Sequence, residues 1–181
     1  MSSLLTQNHF ELFALPAQYR LDGAGLDAHY RRLQREVHPD RFVSGTDRQR
    51  RVSVQQAAQI NEAYATLKDP LGRGRYLLEL RGVATGDPQG SHQDPEFLMQ
   101  QIELREALGE IRAQADPLAG LERLLQMINA QYRALEADLA VALDDTNDLQ
   151  TALTLVLRMQ YFTRLRTEAQ DLEAELEDEL Y

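Results

Sequence analysis

Three of the four Asp-Pro pairs, Asp69-Pro70, Asp94-Pro95 and Asp116-Pro117, each stand directly ahead of an apolar pattern of helical period; the fourth, Asp87-Pro88, does not. An aspartate in that place can accept from the orphan N–H groups of a first helical turn. A proline at the first helical position has a suitable φ and lacks only an N–H that would go unpaired anyway. The pairs therefore predict helix starts at 70, 95 and 117. Leu, Ala, Gln, Glu and Arg abound while Val and Ile are scarce, which favours helix over strand along the rest of the chain. The expected fold class is all-α.

Seven helices follow from the pattern. The first four cover about Phe10–Leu15 (stopped by Pro16), Leu26–Val37, Asp47–Lys68 and Pro70–Arg81. Gly72 and Gly74 fall inside the fourth, each at a cost of about 1 kcal/mol relative to alanine. The last three cover about 95–113, 117–144 and 147–180, with Asp145-Thr146-Asn147-Asp148 breaking the pattern between the final two. Leu121, Leu125, Ile128, Tyr132, Leu135, Leu139 and Ala142 form one core stripe. Leu155, Met159, Phe162, Leu165, Ala169, Leu172 and Leu176 form the other. Short connections between long helices imply an antiparallel three-helix bundle. Residues 82–94 hold three glycines and Pro88 with no apolar period, and read as a linker between a domain at 1–81 and a domain at 95–181. Charge divides at the same place: 12 Lys+Arg against 9 Asp+Glu in residues 1–82, and 7 against 20 in residues 83–181. Two modules of opposite sign suggest different partners.

Several function classes are poorly supported. No apolar run approaches the roughly 20 residues of a membrane span. The first nine residues lack a basic leader, so a secretory signal is not expected. There is no cysteine, hence no disulfide and no thiolate ligand or nucleophile. His9, His29, His38 and His92 are scattered without ligand spacing. No phosphate-binding glycine loop or nucleophile elbow is present. An enzyme, a metal site and a cofactor are not expected, and an acidic chain is a poor nucleic-acid binder.

One tripeptide carries specific chemistry. His38-Pro39-Asp40 follows a helix on which Leu26, Tyr30, Leu33 and Val37 share one face and Arg31, Arg32 and Arg35 the other. The next helix offers Ala57, Ile60, Tyr64 and Leu67, so the two can pair as a hairpin with the tripeptide at its tip. Pro39 drives His38 out of the helical region and ends the helix there. Asp40 then presents a carboxylate suited to a bidentate contact with an arginine of a partner. The arginine group beside it would steer the tip to an acidic surface. In the fifth helix Phe97, Leu104, Leu108 and Ile111 share a face and read as core. Leu98, Met99 and Ile102 fall outside that face, in the company of Glu103, Glu106 and Glu110. Apolar side chains rimmed by carboxylates on an outward face suggest a partner site. Tyr161, one residue off the Phe162 stripe, is expected to point outward near it.

Residues 8–81 resemble a J domain, on the strength of Leu33-Gln-Arg-Glu-Val-His-Pro-Asp-Arg-Phe42, Asn61-Glu-Ala-Tyr64 and Asp69-Pro-Leu71. Phe10-Glu-Leu-Phe-Ala-Leu-Pro16, Tyr76-Leu-Leu78 and Phe97-Leu-Met-Gln-Gln-Ile-Glu-Leu-Arg-Glu106 extend the likeness. As a whole the chain resembles the HscB-type J-domain co-chaperones of iron–sulfur cluster assembly, which join a J domain to a three-helix bundle. The resemblance implies that His38, Pro39 and Asp40 trigger ATP hydrolysis on the DnaK-type chaperone HscA, with Arg31, Arg32 and Arg35 docking it. Arg41 stands where J domains often carry lysine, keeping the charge but not the geometry. The resemblance also assigns Leu98, Met99, Ile102, Glu103, Glu106, Glu110 and Tyr161 to binding the iron–sulfur scaffold IscU. The lack of a cysteine-rich N-terminal segment and of a transit peptide implies a bacterial cytoplasmic protein. The competing reading is a general J-domain protein that delivers unfolded clients, and a further one is a helical adaptor without ATPase coupling.

Overall fold

A computed structural model describes residues 7–38, 46–86 and 94–179. Its α-helices are α1 (His9–Leu12), α2 (Gly23–Val37), α3 (Asp47–Lys68), α4 (Pro70–Leu80), α5 (Pro95–Gly109), α6 (Pro117–Ala140) and α7 (Leu149–Asp178). The described residues contain no strand, and the fold class is all-α. Each of these helices begins on a side chain that accepts from its first turn. Asp69 takes the N–H of Gly72 at 2.7 Å, Asp94 those of Glu96 and Phe97 at 3.0 and 3.2 Å, and Asp116 that of Ala119 at 3.0 Å. Asn8 and Thr46 form reciprocal capping boxes with Glu11 and Gln49. None of the described helices is long and apolar enough to cross a membrane.

The chain divides into two compact units, Met1–Arg81 and Gly82–Tyr181. In the first, α2 and α3 pair as a hairpin while α1 and α4 pack on α3. Phe10, Phe13, Leu26, Ile60, Leu67, Leu77 and Leu78 are almost wholly enclosed. Each such side chain contributes about 1.5–3 kcal/mol by leaving water. The bounds of α3 match expectation, and α2 starts three residues earlier than expected because Asp22 caps it through the N–H of Ala24. Gly72 causes no break in α4. A Cβ there would lie 3.1 Å from both the Asp69 carboxylate and the Thr66 carbonyl, so its bare backbone lets α4 start tightly against the end of α3.

In the second unit α6 and α7 run as a long pair, with α5 alongside. The stripes are buried with three exceptions. Leu108, Leu125 and Leu172 are half-buried, and Leu124 takes the interior place expected of Leu125. The shift reflects the apolar stripe of a core helix, which spans more than 100° and does not follow one row of side chains. The fifth helix also stops sooner than expected, at Gly109, and a 3₁₀ turn at Ile111–Ala113 buries Ile111. After Ala140 a π turn over Val141–Asp145 ends α6, and Asn147 reverses the chain at φ 50°. The break expected at 145–148 is therefore built from a π turn and a left-handed asparagine.

Candidate functional site

In the first unit, α2 carries Arg31, Arg32 and Arg35 on its exposed side. Its last helical residue is Val37, and His38 turns extended at φ −55°, ψ 129°. That is the conformation a following proline imposes. Pro39, Asp40 and Arg41 lie outside the described residues. The end of α2 is fastened from the other arm of the hairpin. Ser53, 1% exposed, donates its hydroxyl to the Val37 carbonyl at 3.0 Å and so satisfies one of the acceptors a helix end leaves open.

Further along the hairpin a polar ladder fixes the register of α2 on α3. The Tyr30 hydroxyl donates to Asn61 Oδ1 at 3.0 Å, and the Gln34 amide donates to the same oxygen. Tyr64 and Lys68 donate to Asp27 Oδ1 at 2.9 and 2.7 Å. The Tyr30 and Tyr64 rings stack at 4.0 Å. The hydrogen bond from Lys68, then that from Tyr64, holds the Asp27 carboxyl below its ordinary range. Asn61 and Tyr64, the polar and aromatic members of the Asn61-Glu-Ala-Tyr64 run, thus act by orienting α2, whose outer side bears the arginines.

In the second unit, Leu98, Met99 and Ile102 are 45%, 57% and 42% exposed, and Glu103, Glu106 and Glu110 are exposed with them. All six belong to α5 or its C-cap; Leu98, Ile102, Glu106 and Glu110 recur every four residues, with Met99 and Glu103 in the row beside them, so they make one ridge. A groove of about 600 Å³ runs beside it, with Met99, Gln100, Glu103 and Arg158 in its walls. Tyr161 is half-buried. Its ring meets Phe97 edge-on at 5.7 Å, and its hydroxyl donates to the Gln101 carbonyl at 3.0 Å. Burial pushes its phenol pKa up. The Tyr161 side chain therefore reaches across to α5 and ties it to α7.

Arg158, one turn before Tyr161, pairs with Asp94, and its guanidinium lies 5.1 Å from the centre of the Phe97 ring. The backbone N–H of Phe97, together with the Arg158 charge, lowers the Asp94 pKa. Neither Ser53 nor Arg158 stood out in the sequence. The only signal for Ser53 was its place one helical turn before Ala57 on the stripe facing α2. Arg158 carried none beyond an i,i+3 spacing to Tyr161.

A family model described as the HSCB C-terminal oligomerisation domain matches residues 93–170. A co-chaperone protein HscB homolog from Photobacterium profundum is 43% identical over 166 residues, which is 92% of this chain and 96% of that protein. The structure of chaperone HscB from Vibrio cholerae has a TM-score of 0.84 at 42% identity, covering 94% of this chain and 99% of that one. The structure of human co-chaperone protein HscB has a TM-score of 0.83 at 28% identity, covering 91% and 81% respectively.

Proposed function

This chain belongs to the HscB family of co-chaperones, and from that premise we propose that it couples an iron–sulfur scaffold protein to a DnaK-type chaperone. The first unit docks on the chaperone, of the HscA kind, and stimulates its ATPase. The second unit holds the scaffold, of the IscU kind. Delivery and ATP hydrolysis together promote maturation and transfer of the cluster, which is cargo and not a resident group. The protein works in the cytoplasm in this reading.

The observation that carries the proposal is the ridge on α5. Three large apolar side chains stand in water on one helix, rimmed by carboxylates, in a chain of this family. Isolated exposed apolar residues are ordinary, but a rimmed cluster is what a small dedicated interface needs. A holder of unfolded clients would need a broader apolar surface. On the other unit, Arg31, Arg32 and Arg35 steer approach, and His38, Pro39, Asp40 and Arg41 act as the trigger, with the Asp40 carboxylate meeting a basic group of the chaperone.

The test is an ATPase assay of the HscA-type chaperone with and without scaffold. Asp40→Asn should abolish stimulation in both conditions with the melting temperature unchanged. Replacing Leu98, Met99 and Ile102 together by Ala should leave the weak scaffold-free stimulation intact and remove the scaffold's enhancement. Undiminished stimulation by Asp40→Asn would sink the trigger assignment. Wild-type enhancement by the triple variant would sink the ridge.

A further inference from the structure

We propose that Arg158 is a positioning residue for partner recognition: it locks the first turn of α5 onto α7 and so fixes how Leu98 and Met99 are presented. The inference rests on reading α5 as the scaffold-binding helix and adds a residue that acts through it.

The first part of the argument is how lightly α5 is held. It has 15 residues, a length at which an isolated helix is marginal in water, and it buries only Phe97 and Leu104. Packing alone leaves its first turn weakly fixed, yet Leu98 and Met99 follow directly after Phe97. Whatever fixes Phe97 fixes them.

The second part is the set of polar attachments from α7. Arg105–Glu168 joins the two helices at 3.7 Å, but its side chains are 58% and 46% exposed, and a pair so wet contributes little. Tyr161 holds the middle of α5 through the Gln101 carbonyl. Arg158–Asp94 is the more sheltered ion pair, 31% and 33% exposed, and it acts on the first turn at two points. It grips Asp94, which caps that turn through the N–H groups of Glu96 and Phe97, and it covers the Phe97 ring. A guanidinium can lie flat on a ring while one edge meets a carboxylate, whereas a lysine ammonium is a point charge and does only one of the two well. The geometry thus ties cap, aromatic anchor and α7 to a single side chain. A ridge held still in its bound form loses less freedom on binding, and that is where the affinity gain arises.

The test is a double-mutant cycle on the full chain. Arg158→Leu keeps apolar cover on Phe97 and removes the charge. Asp94→Ser keeps a cap and removes the pair. Each is measured by amide hydrogen exchange at residues 97–102 and by calorimetric titration with an iron–sulfur scaffold protein. Each single variant should speed exchange in α5 about tenfold while α6 is unchanged, and weaken the scaffold complex about tenfold. The double variant should be no worse than either, and Arg158→Lys should fall between. Weakened binding with unchanged exchange would mean that Arg158 meets the partner directly and would overturn the proposal. Faster exchange with wild-type affinity, or losses that simply add, would overturn it too. Failure of the wild-type chain to bind the scaffold would instead overturn the partner assignment. Exchange still reads the clamp in that case, and unchanged rates in Arg158→Leu would refute it independently.

Discussion

Ser53 sits where the interior of the α2–α3 hairpin is otherwise apolar, and it is buried with its hydroxyl committed to the Val37 carbonyl. A buried hydroxyl with a partner is tolerated, and removal of one member leaves the other unsatisfied. Ser53→Ala should therefore destabilise the protein by about 1–2 kcal/mol, read from the urea midpoint. It should also lower chaperone stimulation beyond what the lost stability explains at a temperature where both proteins are folded, because the residue after Val37 is His38. A stability loss with full stimulation would confine Ser53 to the fold. Asp27 and Asn61 are more open to water and act through register instead. Each collects two donors from across the hairpin, so neither is interchangeable with a residue of similar size.

The helices were largely legible before the structure. Three Asp-Pro pairs ahead of apolar patterns marked the starts of α4, α5 and α6, and the bounds of α3 were evident from its pattern. Cap chemistry is local, so a single sequence shows it. The partners of Ser53 and Arg158 were not legible, because each depends on the register between two helices that packing alone decides. The half-buried state of Tyr161 was missed for the same reason: a helical wheel gives direction but not what a neighbour brings to meet it. The sequence-level reading of α2 as a basic face does lead to a prediction. Reversing Arg31 and Arg35 to Glu should slow association with the chaperone about tenfold in low salt, with the gap closing as ionic strength rises. Stopped-flow association rates at two salt concentrations check it. Rates indifferent to both charge and salt would remove the steering role of α2.

As a whole the molecule joins a mildly basic first part to a strongly acidic second one, and the first holds a histidine that responds to acid before the lowered carboxyls of either unit. His9 stacks on Tyr76 at 4.1 Å, with Glu62, Arg75 and Glu79 around the same groove. Burial lowers its pKa from 6.5, against the opposing pull of Glu62. The unfolded chain therefore takes up the proton first, so stability falls as pH drops below about 6.5 and levels off below the folded pKa. Asp94 and Asp148, by contrast, have carboxyls lowered from 3.8, Asp94 chiefly by the Phe97 N–H and Asp148 chiefly by the Thr151 hydroxyl. Their contribution is complete above about 4 and lost only as pH falls through the folded values. Between pH 7.5 and 5.5, hydrogen-exchange protection, taken relative to the intrinsic rate at each pH, should fall in α1 and α4 while that of α6 and α7 holds steady. His9→Gln should abolish that loss of protection. Equal loss in both units, or an unaffected His9→Gln, would contradict the order.

The lightly held α5 has a practical consequence for anyone seeking to mimic or block it. A synthetic peptide copying residues 94–110 carries every side chain of the ridge but leaves behind Arg158 and Tyr161, the two residues of α7 that hold its shape. Such a peptide would be mostly coil, with its recognition energy spent on ordering itself. The smallest faithful excerpt is two helices, α5 with the facing turns of α7, joined by a linker that keeps the arginine over the phenylalanine ring.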